Sequence, residues 1–228
     1  MMVELGDRNE VVKIVLMPRG RLRERHPEHW QAMTDFMRKR AERQAEEIRG
    51  AQERLAMREQ QREFKDRLTR IADPDERLIA WGEGANLWGE RVPWLTRFVA
   101  WLREGDPDRF HDLAVHWNWD NGIVPLTWIV TRPNCEAATA LAIFHDGEPL
   151  DQPEEGEVPE MLKIIRTRWM AGQYPLGGIR FKPPRHIVKL RPDQHLDRVP
   201  LSMRVEITGR EVRGVEYNDG FPVSLQED

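Results

Sequence analysis

Seven of the nine tryptophans in this 228-residue chain fall between Trp81 and Trp128. A buried large aromatic removes roughly 150–250 Å² from water, so the core is expected to be centred on that stretch, the rival reading being an aromatic-lined ligand pocket. The rest of the chain cannot compete. Apolar residues make up 39% of it and charged residues 32%, which suits a folded core carrying a long solvated segment.

That solvated segment lies N-terminal to the tryptophans. Pro27 supplies a helix-start proline, and from His29 to Ile71 there is no further proline and only Gly50 among glycines. Arg, Glu, Gln, Ala and Met dominate, all strong helix formers, and Arg43–Glu47 and Glu63–Arg67 stand at supporting i,i+4 spacing. A thin apolar stripe passes through Met37, Ala41, Ala45, Ile48, Ala51 and Leu55 and returns at Phe64, Leu68 and Ile71. So narrow a stripe suits a helical hairpin or a coiled-coil arm better than a core helix; the plainest reading is a solvated helix leaning on the domain, with dimerisation through the arm and disorder as the alternatives.

Within the tryptophan-dense part the pattern changes to short helices. Asp73-Pro74-Asp75-Glu76 and Asp106-Pro107-Asp108 each set a capping carboxylate before a first-turn proline, with more acid in the positive end of the macrodipole. Pro93 opens an amphipathic run with Leu95, Phe98, Val99 and Leu102 on one face. Asn121 with Pro125 opens a helix that Pro133 stops, and Asn134 caps another from Cys135 to Phe144, closed by Asp146-Gly147. Pro159 starts one more, with Met161, Leu162, Ile165 and Trp169 as its buried face. Connections this short predict neighbours packed antiparallel.

The ends read as β structure. The β-branched run Glu10 to Met17 predicts a short strand. Alternation over Met203–Ile207 and Val212–Tyr217, around Thr208-Gly209-Arg210, predicts a hairpin. The expected architecture is mainly α: a compact array of short antiparallel helices with a long charged N-terminal arm and a small C-terminal β-hairpin. Its parts are an N-terminal strand and basic connector (1–25), the arm (26–71), the helical core (72–182) and the hairpin extension (183–228). Residues 146–158 form an acidic, solvated linker.

The residues Asn118-Trp119-Asp120-Asn121-Gly122, Pro125-Leu126-Thr127-Trp128-Ile129 and Pro133-Asn134-Cys135-Glu136-Ala137-Ala138-Thr139-Ala140-Leu141 resemble an uncharacterised bacterial family, domain of unknown function 4274. Its pattern is Asn-Trp-Asp-Asp-Gly, a Pro-Leu-x-Trp-Ile helix, then Cys-Asp-x-Ala-Thr-Ala-Leu. Met170 to Tyr174 fits an element near its end, so the likeness covers about residues 109–181. Where the family has its second Asp and the Asp after the cysteine, this chain has Asn121 and Glu136. A catalytic carboxylate would tolerate the first exchange badly, whereas a capping residue tolerates it well. The motif, with Trp119, Trp128 and Cys135, therefore reads as structural.

Three constellations invite a chemical reading. Cys135, placed in the first turn of its helix, would have a dipole-lowered thiol pKa, although the alanines around it fit a buried thiol better. His111, Asp112, His116 and Asp120 have the helical spacing of a metal site, but Phe110, Leu113 and Trp117 claim the same helix. The basic run Arg166, Arg168, Arg180, Lys182, Arg185, Lys189 and Arg191 has few stacking aromatics near it, which argues against nucleic acid.

No catalytic residue, metal site or cofactor is assigned. The net charge of −4 gives no basis for a chain-wide nucleic-acid partner. A single cysteine excludes an internal disulfide and fits a cytoplasmic setting, and no apolar run is long enough to span a bilayer. The expected function is a non-enzymatic cytoplasmic protein-binding module that contacts its partner through Glu154, Glu155 and Glu157. The likeness implies an immunity (antitoxin-like) or secretion-system adaptor role, with a toxin or secretion component as partner. The alternatives are an enzyme using Asp120, His116 and Cys135, and a homo-oligomer assembled through the arm.

Overall fold

The structure, a computed structural model, describes residues 27–84 and 94–226. The strand expected at Glu10–Met17 and the connector to residue 25 lie outside the described residues. The chain forms two compact units, residues 1–60 and 61–228.

The arm is one helix, α1, Pro27–Arg70. It runs unbroken through Gly50, so no helical hairpin forms there. A lone glycine costs only about 1 kcal/mol against alanine, too little to break a helix built from such strong formers. In the first unit the stripe residues Met37, Ile48 and Leu55 are exposed, as is Phe36. The second unit begins inside the same helix, at Gln61, because its last turns carry Phe64, half-buried, and Leu68, buried, into a core.

That core is built from short helices: α2 (Pro74–Gly84), α3 (Trp94–Arg103), α4 (Pro107–His116), α5 (Val124–Thr131), α6 (Ala137–Asp146) and α7 (Glu157–Met170). Helix α2 packs on α3 and α5, α4 on α6, and α7 on α5 and α6. Both Asp-Pro starts work as caps: Asp73 accepts from the Glu76 amide and Asp106 from the Arg109 amide, each at 2.9 Å. Asp75, one residue inside α2, accepts from the Trp128 indole (2.9 Å) and the Arg132 guanidinium (2.9 Å), which pins α5 to the start of α2.

Two helix starts differ from expectation. Helix α5 begins at Val124 after Ile123, with no side-chain cap, and Asn121 sits instead in a 3-10 turn, Trp119–Asn121. Helix α6 begins at Ala137, so Asn134 and Cys135 precede it. The reason is downstream: Ala137 donates its amide to the Pro175 carbonyl (2.9 Å) and Glu136 accepts from the Ile179 amide (3.1 Å). The Pro175 carbonyl thus satisfies the first amide of the helix, while the Glu136 carboxylate, just before it, is turned to the Ile179 amide.

The C-terminal extension also differs. Its hairpin is β1 (Tyr217–Asn218) against β2 (Phe221–Pro222), with Asp219 and Gly220 both at positive φ. An Asp-Gly pair with both φ positive is the two-residue turn whose twist matches antiparallel strands. The alternating segments 203–207 and 212–217 do not pair with each other. Instead Ile207 bridges Phe181 and Arg210 bridges Ile179, so the segment is recruited by the chain leaving α7. A short helix α8 (Arg185–Val188) precedes it and α9 (Val223–Gln226) follows the hairpin.

Phe221 completes an aromatic cluster with Trp94 (4.6 Å between centroids), Phe98 (5.1 Å) and Trp117 (5.1 Å), and Trp81 stacks its edge on Phe98. Offset and edge-to-face pairs of this kind contribute about 0.5–1.5 kcal/mol each beyond burial. The tryptophan-dense stretch is the centre of the core, as its composition requires, and an aromatic from the distant C-terminal segment finishes it.

The linker 146–158 is shaped by hydrogen bonds. Arg198 donates to the carbonyls of Leu150 and Gln152, and Gln152 donates to that of Gly147. Helix α7 starts at Glu157, two residues before Pro159, and Trp169 on it is half-buried while Met161, Leu162 and Ile165 are buried.

Candidate functional site

The polar residues of the tryptophan motif do one consistent thing. They hold the C-terminal hairpin. Asn118 accepts from the Asp120 amide (3.0 Å), shaping the 3-10 turn, while its amide nitrogen donates to the Asp219 carboxylate. Asn121 donates to the Asp219 carbonyl at 2.6 Å. Gly122, at φ 85°, returns its carbonyl to the Trp117 indole (2.8 Å). Gly220 lies so close to the Asn118 backbone that a Cβ there would meet its amide nitrogen at 2.5 Å. Trp128 is buried, Trp119 half-buried, and Asp120 is exposed.

Beside this junction the second unit opens a cleft of about 1010 Å³. One wall is the last turns of α1, presenting Gln61, Phe64, Lys65, Leu68 and Thr69. The start of α7 lines it as well, with Glu157, Glu160, Met161 and Ile164. Trp81, Leu95 and Phe221 contribute apolar surface, and the motif residues Asn118, Asp120 and Asn121 edge it beside Asp219. The lining is mainly apolar and the carboxylates Asp120, Glu157, Glu160 and Asp219 outnumber the cations Lys65 and Arg77. The Arg77 guanidinium is turned to the Ile71 carbonyl (2.8 Å).

Residues 105–167 match DUF4274, a domain of unknown function. The DUF4274 segment thus runs from the start of α4 to most of α7. It is narrower than the likeness read from the motif, since Met170–Tyr174 lies beyond it. Neither a curated protein nor a solved structure matches the chain.

The segment's other polar residues are equally engaged with chain that follows it. Asp112, buried on α4, accepts from the Val215 amide (3.1 Å) and the Tyr217 hydroxyl (2.9 Å). His116 stacks on Tyr217 at 4.7 Å with an interplanar angle of 4°. Asp108 pairs with Arg210. His145 reaches the Met203 carbonyl (2.8 Å) and stacks on Phe181. From α4 to α6 the DUF4274 segment receives residues 175–222, through Asp108, Asp112, His116 and His145.

The chemical constellations are not assembled. Cys135 is fully buried before α6, and burial pushes its thiol up to about 12, opposite to the lowering a first-turn position would bring. Helix α4 ends at His116, so Asp120 leaves the face that His111, Asp112 and His116 share. His111 instead meets the Thr139 hydroxyl at 3.3 Å. Among the described residues no three His, Cys, Asp or Glu are grouped to hold a metal ion, and no helix is long and apolar enough to cross a membrane.

The acidic trio divides. Glu154, Glu155 and Glu157 are all exposed. Glu157 stands on the cleft wall, whereas Glu154 edges a separate hollow of about 350 Å³ with Lys163 and Arg198. The basic run is partly absorbed internally: Arg166 donates to the Asp197 carbonyl, Arg168 lies 5.1 Å over the Tyr174 ring, and Arg180 pairs with Glu206 and Glu211. Glu160 and Asp219 were not singled out by sequence. Their signal was available in the i,i+3 spacing of Glu157 with Glu160 and in the Asp219-Gly220 turn.

Proposed function

We propose that the chain is a protein-binding module and that the cleft lined by α1 and α7 receives its partner. The observation that carries this is the cleft itself: a large apolar hollow edged by carboxylates, at the point where the DUF4274 motif clasps the C-terminal hairpin. A large hollow with a mainly apolar lining and a few polar groups at its edge is the usual form of a binding site. The catalytic alternative finds less support, because Cys135 is buried, His116 is stacked on Tyr217, and Asp120 stands exposed beyond the end of α4.

The finer reading is a cytoplasmic immunity or secretion-adaptor protein, whose partner is a toxin or secretion component. It draws on the motif and on the acidic surface alone. The products of genes adjacent to its own are the first partners to test, by calorimetry against the full chain and against Ile164→Trp, which fills the cleft. Binding lost in the variant supports the proposal; no binding by any neighbour product, or binding untouched by the variant, overturns it.

A second reading has its own observation. Phe36, Met37, Ile48 and Leu55 are exposed on α1 with helical spacing, and such a stripe would pair two copies through the arm. Light scattering of the full chain against one beginning at Gln61 checks it, since an unchanged oligomeric state removes the arm from assembly.

A further inference from the structure

Resting on the reading of the cleft as a protein-docking site, the chemistry of its partner is legible in the walls. On α1 the facing residues are 61, 64, 65, 68 and 69, and on α7 they are 157, 160, 161 and 164. Both sets follow the i, i+3, i+4, i+7 rule of a single helix face. Two helix faces that line a common apolar hollow, together with Trp94 and Val124, offer ridges and grooves of the sort that a third helix packs into.

The size agrees. A helix about 10 Å across rises 1.5 Å per residue, or roughly 120 Å³ for each residue. A hollow of about 1010 Å³ therefore accommodates roughly eight residues, two turns of helix. A long flat substrate would not need walls of this periodicity, and an anionic lipid would meet four carboxylates at the rim.

The charge of the rim sets the sign of the partner. Asp120, Glu157, Glu160 and Asp219 stand against Lys65 and Arg77, and Arg77 is drawn away by the Ile71 carbonyl. We propose that the cleft binds a basic amphipathic helix of a partner protein, its apolar face on the half-buried Phe64, Trp94, Val124 and Ile164 and its Lys or Arg side chains reaching Glu157 and Glu160. This is helix-in-groove recognition, with the acidic rim steering the approach and fixing polarity.

The test uses the full chain and a fluorescent synthetic peptide with leucine and lysine at amphipathic helical spacing. Its counterpart carries glutamate at every lysine. The lysine peptide is expected to bind saturably, to gain helical circular dichroism on binding, and to weaken as salt rises, while the glutamate peptide does not bind. Glu157→Lys with Glu160→Lys, both at exposed positions that tolerate the change, should weaken binding by about tenfold or more. Ile164→Trp, which alters no charge, should abolish it, and Thr127→Trp provides an independent block from α5 should the first variant fold poorly.

The outcomes separate the two ideas. Equal binding of both peptides, or a neighbour product that docks in the cleft without help from Glu157 and Glu160, overturns the basic-helix partner and leaves the docking site standing. Lysine-peptide binding that survives both tryptophan variants places the contact elsewhere and overturns the site and its partner together. No saturable binding of the lysine peptide overturns the partner chemistry. A second copy of the chain as occupant would show as concentration-dependent mass that Ile164→Trp eliminates, and it also counts against the inference.

Discussion

Replacing Asp112 by alanine should cost about 3 kcal/mol, and the figure follows from its surroundings. Its side chain is 8% exposed, and its carboxylate accepts from the Val215 amide and the Tyr217 hydroxyl. A hydrogen bond to a charged group contributes about 1.5–3 kcal/mol, and removing the acceptor leaves the partner unsatisfied. Two such bonds would sum to more than 3 kcal/mol, but Val215 lies in an exposed segment where water can replace the lost acceptor. A loss of 3 kcal/mol lowers Tm by roughly 6–12 °C for a domain of this size. Asp112→Asn should fall between, since one amide oxygen remains while its nitrogen confronts a second donor. Tyr217→Phe removes a single donor and should cost about 1–1.5 kcal/mol. Chemical denaturation of all four combinations measures the coupling directly, and Asp112→Ala with Tyr217→Phe should cost about 1 kcal/mol less than the sum. A cost under about 1 kcal/mol for Asp112→Ala, or strict additivity in the pair, would refute the assignment of Asp112 as the clamp on the C-terminal segment.

Four further outcomes are expected. Burial holds the imidazoles of His111 and His145 below their ordinary value; the unfolded chain takes up protons on them first, so stability should be full above about pH 6.5 and fall as pH drops below it, with a flatter profile in His145→Gln by denaturation at stepped pH. Asp75, held below the usual carboxylate range chiefly by the Trp128 hydrogen bond and then by Arg132, adds stability that is present above about pH 4 and lost in stronger acid; Asp75→Ala should flatten the acid limb of the same profile. Cys135, its thiol pushed up to about 12, should resist iodoacetamide at pH 8 until denaturant is added, and rapid alkylation of the native chain would revive the nucleophile reading. Gly209→Ala would drive a methyl into the Gly178 carbonyl, which also accepts the Arg210 amide, and should cost about 1–3 kcal/mol by overpacking, read as a lower denaturation midpoint.

The helical part was legible because its signals are local. Asp73 and Asp106 announce helix starts through bonds that span three residues, and the Trp81–Trp128 stretch announces a core by mass of aromatic surface alone. What was not legible depends on contacts between distant segments. Asn134 has the chemistry of a cap, yet the Pro175 carbonyl takes the Ala137 amide, so α6 starts at Ala137 and Cys135 drops out of the first turn. Alternation over 203–207 predicted a hairpin partner nearby, but Phe181 takes Ile207 instead. The Asp219-Gly220 signal was present and was outweighed by the longer alternating run before it. For the candidate site, Glu157 was visible as acid in a polar segment, and the motif was visible as a pattern. That both edge one cleft, together with Phe64 and Ile164, appears only once α1 and α7 are placed in space.

The clasp between the DUF4274 segment and residues 175–222 has a consequence for how the protein comes into being. Trp81, Phe98 and Trp117 emerge early from a ribosome, yet Phe221, the ring that closes their cluster, is made about a hundred residues after Trp117. Through that interval the nascent chain carries an open aromatic face and buried-to-be groups such as Asp112 still facing water. Sealing of this core therefore waits for the segment that carries Phe221, and a chain interrupted before the Asp219-Gly220 turn would display that face for any chaperone or protease that reads unsealed hydrophobic surface.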